Sequence, residues 1–320
     1  MKADIPQKPF SKRGILSVIN SLYDPVGLVS PVVLQGRLIQ REIMPCKNKS
    51  DLQLQALTWD EDLPLQYSAK WEQWKESLPL LNSVKINRSF YPKGFLPIRQ
   101  ELHMFSDASD DAIGHVCYLR SIDANDQLHV TFVSGNSKVA PRSDTSIPRM
   151  ELCAAVEAVK HARAISFDFR SNPSLFFYTD SYIVLSYIQN SSQRFTRYVE
   201  RRIDVILQHS SPQDWSYVST LDNPADLASR PQAPSTLLAS RWFSGPAFLQ
   251  DSSFLPVPSS VALDSQHPLP EQKDDVKILV TLSQQACLFS SLLSRKTKFA
   301  QLVNVVKYVI KFSRTLYAIR

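Results

Sequence analysis

Disulfide frameworks and zinc fingers are the first architectures this sequence speaks against. Its four cysteines, Cys46, Cys117, Cys153 and Cys287, are scattered over 320 residues without one C-x-x-C pair. The six histidines, His103, His115, His129, His161, His209 and His267, show no zinc-ligand spacing. The N-terminus, MKADIPQKPFSKRG, has no apolar core of signal-peptide length, and no window of roughly 18 unbroken apolar residues could span a membrane. These absences predict a soluble protein in a reducing, intracellular setting, with no membrane partner. No internal repeat is evident.

What is present begins with enough apolar residues, 43% of the chain, for real cores and about two domains. The net charge of +6 is unevenly spread. Residues 1–50 carry eight Lys/Arg against three acids, and residues 277–320 carry eight against none. Residues 101–230 reverse the balance, with twelve Lys/Arg against sixteen Asp/Glu. Basic ends suit nucleic acid. An acidic centre in a basic chain needs its own reason, and metal-binding carboxylates would supply one, as would a merely solvated surface.

Apolar periodicity predicts a helical pair around the Pro- and Gly-containing YDPVGL, with Ile15, Ile19 and Leu22 before it and Val33 to Met44 after it. Trp71, Trp74, Leu78 and Leu81 recur at helical spacing. From about residue 84 the pattern becomes short alternation, where strands are expected to begin. Strands are then predicted at Glu101–Ser106, Gly114–Leu119 and Leu128–Ser134, a helix at Arg149–Ile165, and a strand at Leu175–Thr179. Helices at Tyr182–Gln189 and Phe195–Gln208, a strand at Trp215–Thr220 and a helix opened by Asn223 as N-cap, with Pro224 first, complete the series. Short turns suit an antiparallel meander for the first three strands, and the unbroken apolar SLFFYT suits a strand covered on both faces. The fold class is mixed α/β, with helices on both faces of a mixed sheet. Residues 249–275, rich in Pro and Ser, read as a linker, and 276–320 as a basic helical segment.

Four carboxylates fall at suggestive places on these elements. Asp107 ends the first strand, Glu151 lies early in the long helix, Asp180 ends the apolar strand, and Asp226 lies in the first turn of the last helix. Beyond Glu151 the helix carries Ala155, Ala158 and Ala162 on one stripe, which allows close approach to the sheet. Each acid alone has an ordinary role as turn, cap or dipole partner. Together they would converge outside the strand ends, where such sheets bind ligands. Crowded carboxylates repel unless a cation intervenes, and oxygen ligands suit Mg²⁺.

The order FSDAS, PRMELCAA, YTDS, NPADLASR resembles the ribonuclease H domain of long-terminal-repeat retroelements. YDPVGLVSPVVL, SKVAP, SIPRMELCAA and DNPADLASR resemble the BEL/Pao branch in particular. The resemblance implies a ribonuclease H-like fold in a Pol polyprotein segment. Residues 1–85 would be the end of a reverse transcriptase, 86–248 ribonuclease H with a C-terminal extension, and 276–320 a segment leading toward an integrase. It further implies hydrolysis of the RNA strand of an RNA/DNA hybrid, with Asp107, Glu151, Asp180 and Asp226 as catalytic residues holding two Mg²⁺ ions, or Mn²⁺ in their place. Asp107 would bridge the two. Other parts of the polyprotein, reverse transcriptase and integrase, would be partners. Arg194, Arg197 and Arg201 are candidate phosphate contacts, or a solvated basic stripe.

This sequence departs from the family at Asn136, where Lys is usual, and at Arg201, where Asn is frequent. It has no His in YVSTLDNPAD, where cellular ribonucleases H place one. The family is often filed under a peptidase name, but TDSY has Tyr182 where an aspartic protease requires Gly. No Tyr-x-Asp-Asp pair of a polymerase occurs. A non-catalytic scaffold that binds nucleic acid stays open as the rival reading.

Overall fold

The computed structural model describes residues 5–44, 54, 56–141, 145–190, 194–258 and 269–273. The basic segment 276–320 lies outside them. Two compact units are separated at Asp274 and Asp275, and all described elements belong to the first.

Three strands, β1 (Pro97–Ala108), β2 (Ala112–Asp123) and β3 (Leu128–Val139), form the antiparallel meander. A long helix, α4 (Ile147–Asp168), then crosses to β4 (Ser174–Thr179), which pairs with β1 in parallel. Helices α5 (Tyr182–Gln189) and α6 (Arg197–His209) precede β5 (Trp215–Tyr217), parallel to β4. The sheet order is β3-β2-β1-β4-β5. The chain ahead of it forms α1 (Lys12–Ser21), α2 (Ser30–Ile43) and α3 (Ser68–Ser77).

Local chemistry accounts for the differences from the sequence expectations. The helix around Trp71 and Trp74 tightens to a 3₁₀ turn at Leu78–Ser83, where Pro79 cannot donate to an α-helical ladder. Strand structure begins at Pro97 rather than near residue 84. β5 stops at Tyr217, and a 3₁₀ turn occupies Thr220–Asp222. The last predicted helix is one turn, α7 (Asp226–Ser229), with Ala225 rather than Asn223 at its N-cap.

Alternation along the strands supplies two cores, since successive side chains point to opposite faces. Leu102, Met104, Cys117, Leu119 and Phe177 pack with α4, α5 and α6 on one face. Ala155, Ala158 and Ala162 are fully buried there, so the small-residue stripe lets α4 lie close to the sheet. On the other face Phe105, Val116, Tyr118 and Phe132 share a core with Ile15, Val29, Val32, Trp71 and Trp74. A helix α8 (Pro234–Ala239) and Trp242 complete that layer.

The N-terminal helices and the sheet are therefore one body. Trp242 Nε1 donates to the Leu28 carbonyl at 2.8 Å, and Arg37 Nη1 to that of Ser137 at 3.0 Å. Gly27, at φ +73°, lies so close to the Gly135 carbonyl that no side chain fits between them. A fragment of residues 86–248 alone should lose cooperative melting and bind an apolar dye, because Phe105, Tyr118 and Trp242 would face water. A sharp thermal transition in that fragment would contradict this.

The stretch read as a linker is held at both described ends. Arg120, fully buried, donates to the carbonyls of Leu249, Asp251 and Phe254. Farther on, Thr196 N donates to the Glu271 carbonyl at 2.9 Å and Tyr187 Oη to that of Pro270 at 2.7 Å. Among the described residues no helix is long and apolar enough to cross a membrane.

Candidate active site

Parallel pairing of β1 and β4 sets Ser106 opposite Thr179, so the next residues, Asp107 and Asp180, leave the same end of the sheet. Asp107 shares a face with Phe105 and is 7% exposed. In β2 its register partner is Gly114. A Cβ there would lie 2.6 Å from the Ala228 backbone, so glycine is what admits the α7 turn onto the strand. That turn delivers Ser229 Oγ as a donor to Asp107 Oδ2. The same hydroxyl reaches the Asp226 carbonyl at 3.1 Å.

Each carboxylate has a protein donor. Glu151 accepts from Ser181 Oγ at 2.6 Å, and this oxygen in turn caps α5 by accepting from Val184 N. Asp180 accepts from Thr220 Oγ1 at 2.8 Å and Asn223 Nδ2 at 3.3 Å. Asp226 accepts from Arg230 Nε at 2.7 Å across the single turn.

Burial pushes the Asp107 carboxyl up, the Ser229 hydrogen bond offsets part of this, and the negative charges of Asp180 and Asp226 add to it, leaving it at about 7. Burial also raises Glu151, opposed by Ser181 and reinforced by Asp180. The four acids are thus linked electrostatically through Asp107 and Asp180: Asp107 feels Asp180 and Asp226, and Glu151 feels Asp180. Among the described residues, however, no three acidic, His or Cys side chains converge as a metal-holding group. The donor set itself fits a divalent ion. It is all oxygen, and the cost of ionising buried Asp107 near Asp180 and Asp226 is what such an ion relieves.

Ser229, Arg230, Ser181 and Thr220 were not weighed from sequence as parts of this site, although the first two stand in NPADLASR itself. Asn223, first read as a helix cap, ties Asp180 to the Ser106 carbonyl and caps only the turn at Ala225. Ser229 and Arg230 serve Asp107 and Asp226. Ser181 follows Asp180 directly. The basic trio is looser than predicted: Arg194 precedes α6, leaving Arg197 and Arg201 one turn apart, all three exposed. Arg202 instead stacks on Tyr198, 3.4 Å from its ring centre.

Two cavities, of about 740 and 280 Å³, share Pro25, Val26 and His161, and neither is lined by any of the four acids.

A family model described as the Pao retrotransposon-like RNaseH-like domain matches residues 11–181. The chain belongs to this family. The match takes in the N-terminal helices, β1 to β4 and α4, with Asp107, Glu151 and Asp180, and ends before Asp226. Similar solved structures include RNase H1 from the archaeon Halobacterium salinarum, at 13% identity and TM-score 0.27, covering 41% of this chain and 93% of that one. The N-terminal RNase H domain of a Mycobacterium tuberculosis protein covers 43% of this chain and 94% of its own, at 11% identity and TM-score 0.29. A foamy viral protease-reverse transcriptase, solved with double-stranded DNA, covers 70% of this chain and 37% of its own, at 11% identity and TM-score 0.25. No curated protein matches the chain.

Proposed function

We propose that this Pao-family chain hydrolyses the RNA strand of RNA/DNA hybrids, as the ribonuclease H part of a retrotransposon polyprotein. The observation that carries the reading is Asp107, buried at the strand ends and pushed to about 7 beside two further acids. Asp107, Glu151, Asp180 and Asp226 would hold Mg²⁺, or Mn²⁺ in its place. When bound, such ions supply a water of lowered pKa and neutralise charge on the leaving oxygen. The protein's own residues do the positioning. Ser229 fixes Asp107, Ser181 fixes Glu151, and Asn223 with Thr220 fixes Asp180. The hybrid's backbone would be recognised by shape and 2′-hydroxyls, with Arg197 and Arg201 as exposed cations for phosphates. Reverse transcriptase and integrase portions of the same polyprotein would be its partners.

The rival, a non-catalytic nucleic-acid-binding scaffold, is favoured by one observation: every acid is already satisfied within the protein. An end-labelled hybrid separates the two. Cleavage of its RNA strand by the purified full chain in Mg²⁺, stopped by chelator, is the expected result. Tight hybrid binding with no cleavage in either Mg²⁺ or Mn²⁺ would favour the scaffold.

A further inference from the structure

Among the described residues, Arg230 is the one cation in a salt bridge with a member of the acid cluster. Its Nε lies 2.7 Å from Asp226 Oδ1, with the two side chains 59% and 31% exposed. Its charge also acts on Asp107 and Asp111. Asp111 has its own partner in Arg41, at 3.2 Å, and Asp107 has Ser229, so Arg230 is not needed to satisfy either. A guanidinium cannot leave a site by losing its proton. It leaves only by swinging away, and for an exposed pair on a long side chain that movement costs little.

We propose that Arg230 is the internal counter-cation of this cluster: it holds Asp226 while no divalent ion is bound, yields that carboxylate when one binds, and then takes a backbone phosphate of the nucleic acid. The inference rests on the proposed metal-dependent reading and adds a positioning residue to it. The chemistry is suited to both states, because the planar fork that pairs with a carboxylate also pairs with a phosphate. Ser229, one residue earlier, keeps the turn in place through Asp107 and the Asp226 carbonyl, so α7 itself need not move.

The two roles have opposite signatures, which a merely structural residue would not produce. In the full chain, Arg230→Gln should tighten Mn²⁺ binding about three- to fivefold by calorimetry, because the competing cation is gone. With Mn²⁺ present and a hybrid of DNA with 2′-O-methylated RNA, chosen to resist cleavage, the same variant should bind more weakly. The slope of log affinity against log salt should fall by about one, the loss of one phosphate contact. Arg230→Lys should keep wild-type Mn²⁺ affinity while losing hybrid affinity, and it serves if the Gln variant fails to fold. Mn²⁺ affinity unchanged or weakened in Arg230→Gln, or an unchanged salt slope, overturns the inference while the nuclease reading stands. Absence of saturable Mn²⁺ binding in the wild type overturns both.

Discussion

Asp107→Asn is expected to melt at a higher temperature than wild type at neutral pH without metal, and to have lost hybrid cleavage. The stability side follows from linkage. A carboxyl raised from 3.8 to about 7 on folding contributes stability that is complete below its unfolded pKa and is lost as pH rises through the folded one. At pH 7 the wild type has therefore given up part of its stability to the cost of ionising Asp107 in a buried place, to which Asp180 and Asp226 add. Asparagine keeps the shape, removes the charge, and should gain about 1–2 kcal/mol at pH 7 after allowing for a weaker bond from Ser229. Near pH 4, just above the ordinary value of 3.8, the folded carboxyl is protonated and little stability has yet been given up, so the gain should nearly vanish. Cleavage should fall by well over ~100-fold, since even residues that only support a metal ligand cost about 10–100-fold when removed. Melting at both pH values together with hydrolysis decides it. A variant whose gain over wild type is no larger at pH 7 than at pH 4 would show that folding does not raise the Asp107 carboxyl, and one that cuts normally would remove Asp107 from the chemistry.

Asp226 offers the contrast. Its partner is an exposed arginine, so Asp226→Asn should change stability by less than about 1 kcal/mol.

Much of this was legible in the sequence because it is periodic or local. The meander, the crossover helix and the covered strand each have a hydrophobic period that does not depend on the rest of the chain. Asp107 and Asp180 could be placed because strand ends are easy to read and parallel pairing follows from the helix between them. What could not be read depends on partners distant in the chain. Trp242 meets Leu28 across more than two hundred residues, and nothing in YDPVGL announces that its glycine abuts Gly135. Hence residues 1–85 read as a separate helical segment, while their apolar faces in fact cover one side of the sheet. NPADLASR was misread at its first residue for a related reason. Asn before Pro is a generic cap signal, but here the Asn223 amide is drawn to Ser106 and Asp180, and the helix begins three residues later.

The least legible feature is a charge network in β1, where polar residues between apolar ones suggest a wet face. Glu101 and His103 instead lie buried on the face of Phe105, joined to fully buried Arg120 on the neighbouring strand. Burial alone would raise the Glu101 carboxyl, but hydrogen bonds from His103 and Arg120 outweigh it and hold the group at about 2. Its contribution is thus present above the unfolded pKa of 4.5 and is lost only as pH falls toward 2. Glu101→Gln leaves the Arg120 charge buried with carbonyl partners alone and should cost about 3–5 kcal/mol. The strap of residues 249–254 should stay docked in that variant, because its anchor is Arg120 rather than Glu101. Glu101→Gln combined with Arg120→Met removes the unpaired charge and should recover part of the loss. It also deprives Leu249, Asp251 and Phe254 of their donor, so amide exchange and proteolysis should now open the strap specifically. Global stability and strap protection should therefore move in opposite directions between the single and double variants. Parallel movement would mean that the ion pair, and not the arginine's carbonyl contacts, holds the C-terminal extension to the sheet.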